Sequence, residues 1–280
     1  MAAIAYALLA SAAWGVADFS AGLKSRRLGV LPVLLWVEAS GLIAIMIVTA
    51  ATGEPLPGTR AVIASVIAGA AGFTALGMFY KALSIGTMSI VAPISATGVT
   101  LPVVVGLASG NTLTAIVAVG LVVTILGVLA ASREEAHELQ EGGPNRSAIF
   151  LALGAAVGFG LYFVFADIGA DGSVLWLLAL GRIFILPPII TILAVRKVPV
   201  VPPVRDRWQL IAIGLCDLSA TALYGVATTR GALAIVAVIG SLYPVMTVLL
   251  AWGVVGERIS RLQFAGVLTA MAGVAMVSAG

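Results

Sequence analysis

The chain has 280 residues, of which 61% are apolar and only 10% are Asp, Glu, Lys or Arg. A soluble domain carries about a quarter charged residues, so there is too little charge here to cover a globular surface. With a net charge of +3 carried in loops and a single cysteine, Cys216, the composition excludes a soluble enzyme, a disordered chain, a nucleic-acid-binding module, a disulfide framework and a cysteine-ligated metal site.

Apolar runs such as Ile116–Ala131, Leu175–Val195 and Ala232–Val255 are long enough to cross a hydrocarbon core, which takes about twenty residues. Breaking the chain at Gly, Pro and charge clusters predicts ten transmembrane helices, over roughly 3–22, 30–51, 60–81, 89–108, 113–131, 147–166, 173–195, 208–228, 232–254 and 261–279. The expected fold is an all-α membrane protein with short loops and no soluble domain.

Span one has no basic region before it and reads as a membrane span rather than a cleaved signal. It carries Trp14 and Asp18 on one face with Ser11. Asp18 falls near the cytoplasmic end, where a side chain reaches the interface easily, and a bland role is favoured for it. Span two carries Glu38 about eight residues from its cytoplasmic end, deeper than snorkelling explains. It is either functional or structural. Span three sets Phe73, Gly77 and Tyr80 on one face, as cavity wall or plain packing. Pro93 and Pro102 lie in span four, where each removes a backbone hydrogen bond and can kink the helix.

The stretch 132–146 holds Arg133, Glu134, Glu135, His137, Glu138, Glu141 and Gly142-Gly143-Pro144. It is the expected linker between two halves, 1–131 and 147–280. Span six clusters Phe159, Tyr162 and Phe163, and its Gly154 and Gly158 form a small-xxx-small pair that lets helices approach closely. Arg182 lies about ten residues into span seven and cannot lose its charge. It needs an anion, which Asp217, Glu38 or a substrate carboxylate could supply, and packing is the plainer role. Span eight carries Asp217 roughly 15 Å from its start, close to the midplane. Asp217, Thr221, Tyr224 and Thr228 share one helix face. Such a polar stripe points inward. Asp217 either binds a cationic group, carries a proton, or makes a structural ion pair. Tyr243 precedes Pro244 in span nine, and Trp208 reads as an interfacial anchor.

Lys and Arg are distributed twelve to two between loops on the two sides of the membrane. By the positive-inside rule the linker is cytoplasmic and both termini lie outside the cytoplasm, in the cytoplasmic (inner) membrane. Gly110, Gly120 and Gly127 match Gly256, Gly266 and Gly273 at one constant offset, and Ala13-Trp14-Gly15 lies opposite Gly158-Phe159-Gly160. Five spans per half is an odd number, so a duplicated half enters the membrane inverted. Inverted repeats with a site between them are a signature of secondary transporters.

Residues Ala232–Ala279, with Pro244, then Gly256-Glu257-Arg258 and a last helix spaced by Gly266 and Gly273, resemble the end of an EamA domain of the drug/metabolite transporter superfamily. The first half resembles a more divergent copy, in which Asn111 and Thr112 replace Glu257 and Arg258. The resemblance implies a ten-helix bundle moving small metabolites by alternating access. No Walker motif, His-Glu-x-x-His helix or Gly-x-Ser-x-Gly is present, so no catalytic residue and no cofactor are assigned. The expected function is secondary transport of amino acids or related compounds, in the export direction. Glu38 and Asp217 are the candidates for proton or cation binding, and Arg182 for an anionic substrate group. Thr221, Tyr224, Trp14, Tyr80, Tyr162 and Tyr243 are the candidate walls. The competing reading is a membrane enzyme or a non-transporting membrane module whose buried charges are structural. The expected partners are a small solute and the lipid bilayer, with coupling to protons. A monomer can suffice, because one chain holds both halves.

Overall fold

The computed structural model describes residues 2–86, 88–110, 114–131, 146–255 and 261–279. The linker over 132–145, Asn111, Thr112 and the Gly256-Glu257-Arg258 motif lie outside the described residues. The described chain is helical: α1 (Ala2–Leu28), α2 (Val30–Thr52), α3 (Thr59–Ile85), α4 (Met88–Ala96), α5 (Thr100–Ala108), α6 (Ala115–Ala131), α7 (Arg146–Gly172), α8 (Val174–Val195), α9 (Val204–Thr228), α10 (Leu233–Gly240), α11 (Tyr243–Leu250) and α12 (Arg261–Ala279). Long runs of Ala, Leu, Ile and Val become helix because hydrocarbon offers the backbone no outside partner. Among the described residues, seven helical stretches are long and apolar enough to cross a membrane, the last of them, 233–254, running across the break between α10 and α11, with shorter apolar stretches at 94–108, 115–127 and 264–273. Large apolar side chains such as Ile43, Ile47, Phe150, Val157 and Phe184 face outward. A surface of that kind suits lipid, and the chain is a multi-pass membrane protein.

Two spans expected to be continuous are interrupted. A 3-10 turn over Thr97–Val99 separates α4 from α5, and Ser241-Leu242 separate α10 from α11. Pro244 is the second residue of α11, where its missing N–H would have had no partner in the helix. Pro187 and Pro188 behave differently, since α8 runs through both without a break. Helix ends are set locally. Gly53 ends α2 in the left-handed conformation, φ 65°, with its N–H on the Thr49 carbonyl. Ser173 caps α8, its hydroxyl accepting from the Trp176 N–H at 3.1 Å.

Helices from the two halves interleave. α1 packs on α9 and α3 on α7; α2 packs on α8 and α9, and α8 packs also on α3. α6 and α12 pair with each other. α3 and α8 meet backbone to backbone at Gly69 and Gly181.

Candidate functional site

The polar residues of the middle of the bundle meet at one place. Glu38 stands near the middle of α2, Arg182 near the middle of α8 and Asp217 near the middle of α9. All three are buried. Arg182 Nη2 donates to Asp217 Oδ2 at 2.8 Å, and Arg182 Nε lies 3.2 Å from Glu38 Oε2 as an ion pair without hydrogen-bond alignment. Arg182 Nη1 donates to the Leu178 carbonyl one helical turn away, at 3.2 Å. A buried guanidinium that lacked an anion would be costly, and two carboxylates from two other helices supply one.

A cavity of about 90 Å³ opens beside this triad. A buried water needs ~10–15 Å³ on that measure, so the space holds several waters or a small solute. Its wall includes Trp14, Asp18, Glu38, Arg182, Asp217 and Thr221. Tyr162, Tyr243, Phe73, Phe159 and Phe163 also face it, with small residues from α3 and α8 between them. The aromatic rings contact one another: Trp14 meets Tyr162 edge-on at 6.4 Å between centroids, and Phe159 meets Tyr243 in the same manner at 6.3 Å. Thr221 donates to the Asp217 carbonyl at 2.8 Å, which is a helix contact rather than a ligand contact. The Tyr162 hydroxyl is buried near Thr221 without a well-formed hydrogen bond.

Seven of the nine residues singled out from the sequence therefore line one cavity: Trp14, Glu38, Tyr162, Arg182, Asp217, Thr221 and Tyr243. Two stand behind it. Tyr224 stacks on Phe163 at 4.9 Å and on Trp14 at 5.4 Å, and supports the aromatic wall. Tyr80 is fully buried and donates its hydroxyl to Asp18 at 3.2 Å. Asp18 is the residue that sequence reasoning undervalued. It does not reach an interface but is buried in the cavity wall. Its spacing of four from Trp14 was the available signal. Among the described residues, no group of three His, Cys, Asp or Glu stands close enough to hold a metal ion.

Residues 146–279 match the model of the EamA-like transporter family. The second half of the chain is thus similar to that family. This EamA-like half supplies Arg182, Asp217, Tyr162 and Tyr243 to the cavity, and the first half supplies Trp14, Asp18 and Glu38. Solved structures are similar in fold, among them a crystal structure with a TM-score of 0.74 and 15% identity, over 99% of this chain and 95% of its own. At that identity the likeness concerns the fold alone. No curated protein matches the chain.

Proposed function

We propose that the protein is a secondary transporter that moves small metabolites, amino acids or related compounds, out of the cell across the cytoplasmic membrane. The observation that carries this reading is the cavity at the Glu38–Arg182–Asp217 triad, walled by side chains from both halves of the chain and near the middle of the helices that supply it. A solute site between two halves is what alternating access requires, since each half can rock about it. The EamA-like second half supports the transporter class.

The reading includes ten transmembrane helices arranged as two inverted five-helix repeats, 1–131 and 147–280, with a cytoplasmic linker between and both termini outside. Helix packing supports the duplication. Exchanging the halves turns the α1–α9 contact into the α7–α3 contact and the α2–α9 contact into the α8–α3 contact, while α2–α8 and α6–α12 map onto themselves. Tyr243 sits at the break between α10 and α11 and faces the cavity, as broken helices do at transporter sites. Glu38 and Asp217 are the groups through which a proton would couple to the solute. One chain forms the whole cavity, so a monomer suffices.

The test is solute movement by the purified protein in proteoliposomes, over a panel of amino acids and related metabolites, with and without an imposed pH gradient. The reading expects movement of at least one solute and a response to the gradient. Movement indifferent to pH would remove proton coupling and leave a facilitator. A panel on which nothing moves would favour a non-transporting membrane module.

A further inference from the structure

The cavity carries more negative than positive groups. Asp18, Glu38 and Asp217 face it together with one guanidinium, that of Arg182. Arg182 is already engaged by Asp217, by the Leu178 carbonyl and by Glu38. A substrate carboxylate would therefore find no free cation on this wall and would face three carboxyl groups. Asp18 is in the opposite condition. Among the described residues no cation lies within ion-pair distance of it. Its hydrogen-bond partner is the Tyr80 hydroxyl, and the neighbouring charge acting on it is the like charge of Asp217. The basic residues farther along α1 are occupied elsewhere: Lys24 and Arg27 by Asp206, Arg26 by the Leu83 carbonyl.

A buried carboxyl group without a counter-ion avoids the cost of its charge by holding a proton, and a cation entering the cavity would replace that proton as its partner. The surroundings suit an organic one. Trp14 lies one helical turn from Asp18 on the same face, and Phe159, Tyr162, Phe163 and Tyr243 complete an aromatic enclosure. Aromatic faces attract ammonium groups, more strongly where water is excluded.

We propose that the cavity takes small amines as monocations, with the Asp18 carboxylate anchoring the ammonium group and the aromatic wall enclosing the apolar remainder. This rests on reading the cavity as the substrate site, and it narrows that site's ligands from amino acids and related compounds to those without a carboxylate. The Glu38–Arg182–Asp217 triad, two carboxyl groups around one guanidinium, then frames the site without offering a free cation, and Asp18 is the specificity-determining group.

The test compares three probes that share a benzene ring and differ in charge: phenethylamine, phenylalanine and phenylacetate. Binding to the purified full-length protein is measured by titration calorimetry, and uptake is measured in proteoliposomes. A hydrogen-bonded ion pair is worth about 1.5–3 kcal/mol, so phenethylamine should bind about tenfold or more tightly than either other probe. Asp18→Asn should lose about that factor, and Asp18→Glu should restore most of it. The Glu variant separates loss of the anchor from loss of the fold. Tighter binding of phenylalanine or phenylacetate, undiminished phenethylamine binding by Asp18→Asn, or no phenethylamine binding at all would overturn the proposal. If phenylalanine moves into vesicles and phenethylamine does not, the transporter reading stands and the amine proposal falls. If phenethylamine binds through Asp18 but no solute moves, the amine site stands and transport falls.

Discussion

Gly41 of α2 lies directly against the guanidinium of Arg182. A Cβ at Gly41 would stand 2.7 Å from Arg182 Nε, closer than non-bonded atoms tolerate. The glycine is therefore part of the device that lets α2 present Glu38 to Arg182 from one turn away. Gly41→Ala should push the arginine off Glu38, lower the melting temperature and reduce transport severalfold. A differential melting scan of purified protein, paired with an uptake assay, checks this. Unchanged values in both would remove the glycine from the site.

Arg182 bridges two buried carboxylates, so its removal strands both. Arg182→Met should destabilise by about 3–5 kcal/mol, the range for breaking a buried ion pair from one side. Adding Glu38→Gln and Asp217→Asn to that variant should return much of the loss, because the stranded charges are then gone. Melting temperatures of the single and triple variants decide it. A triple variant less stable than Arg182→Met would contradict the frame role.

The α3–α8 crossing is asymmetric. A Cβ on Gly69 would enter the backbone of Gly181, whereas a Cβ on Gly181 would stop 3.1 Å from the Gly69 Cα. Gly69→Ala should thus cost clearly more stability than Gly181→Ala. Reversed or equal melting temperatures for these two variants would show that the helices separate easily here.

Much of this arrangement was legible in the residues, for a physical reason. Charge inside an apolar run is expensive, so Glu38, Arg182 and Asp217 stood out without any knowledge of packing. That they touch depends on which helices are neighbours, and hydropathy carries no such information. Ending span one before the charge cluster of Lys24, Arg26 and Arg27 puts Asp18 near a helix end. The helix instead continues to Leu28, with its basic end paired to α9, and Asp18 lies well inside it. Tyr224 shares the Asp217 face in periodicity, yet two turns farther along it meets the aromatic stack rather than the cavity. The breaks at Thr97–Val99 and Ser241-Leu242 escaped because apolar composition does not distinguish one helix from two in series.

At the cytoplasmic end proposed for α1 and α9, Lys24 donates to Asp206 at 2.7 Å, and Arg27 and Gln209 join the same cluster. Asp206 is 1% exposed while Arg27 is largely open to solvent. Asp206→Asn should lower the melting temperature in low salt. The difference from wild type should shrink as ionic strength rises, because the pair is partly screened. A salt-independent loss would point to packing instead of charge.

The central claim is that solute passes through the cavity at the triad. The measurement that tests it most directly is uptake into proteoliposomes by wild type and Asp217→Asn, each with its melting temperature recorded. The account predicts that wild type moves solute, and that Asp217→Asn stays folded, with Arg182 still paired to Glu38, but moves none. Normal transport by Asp217→Asn would contradict it.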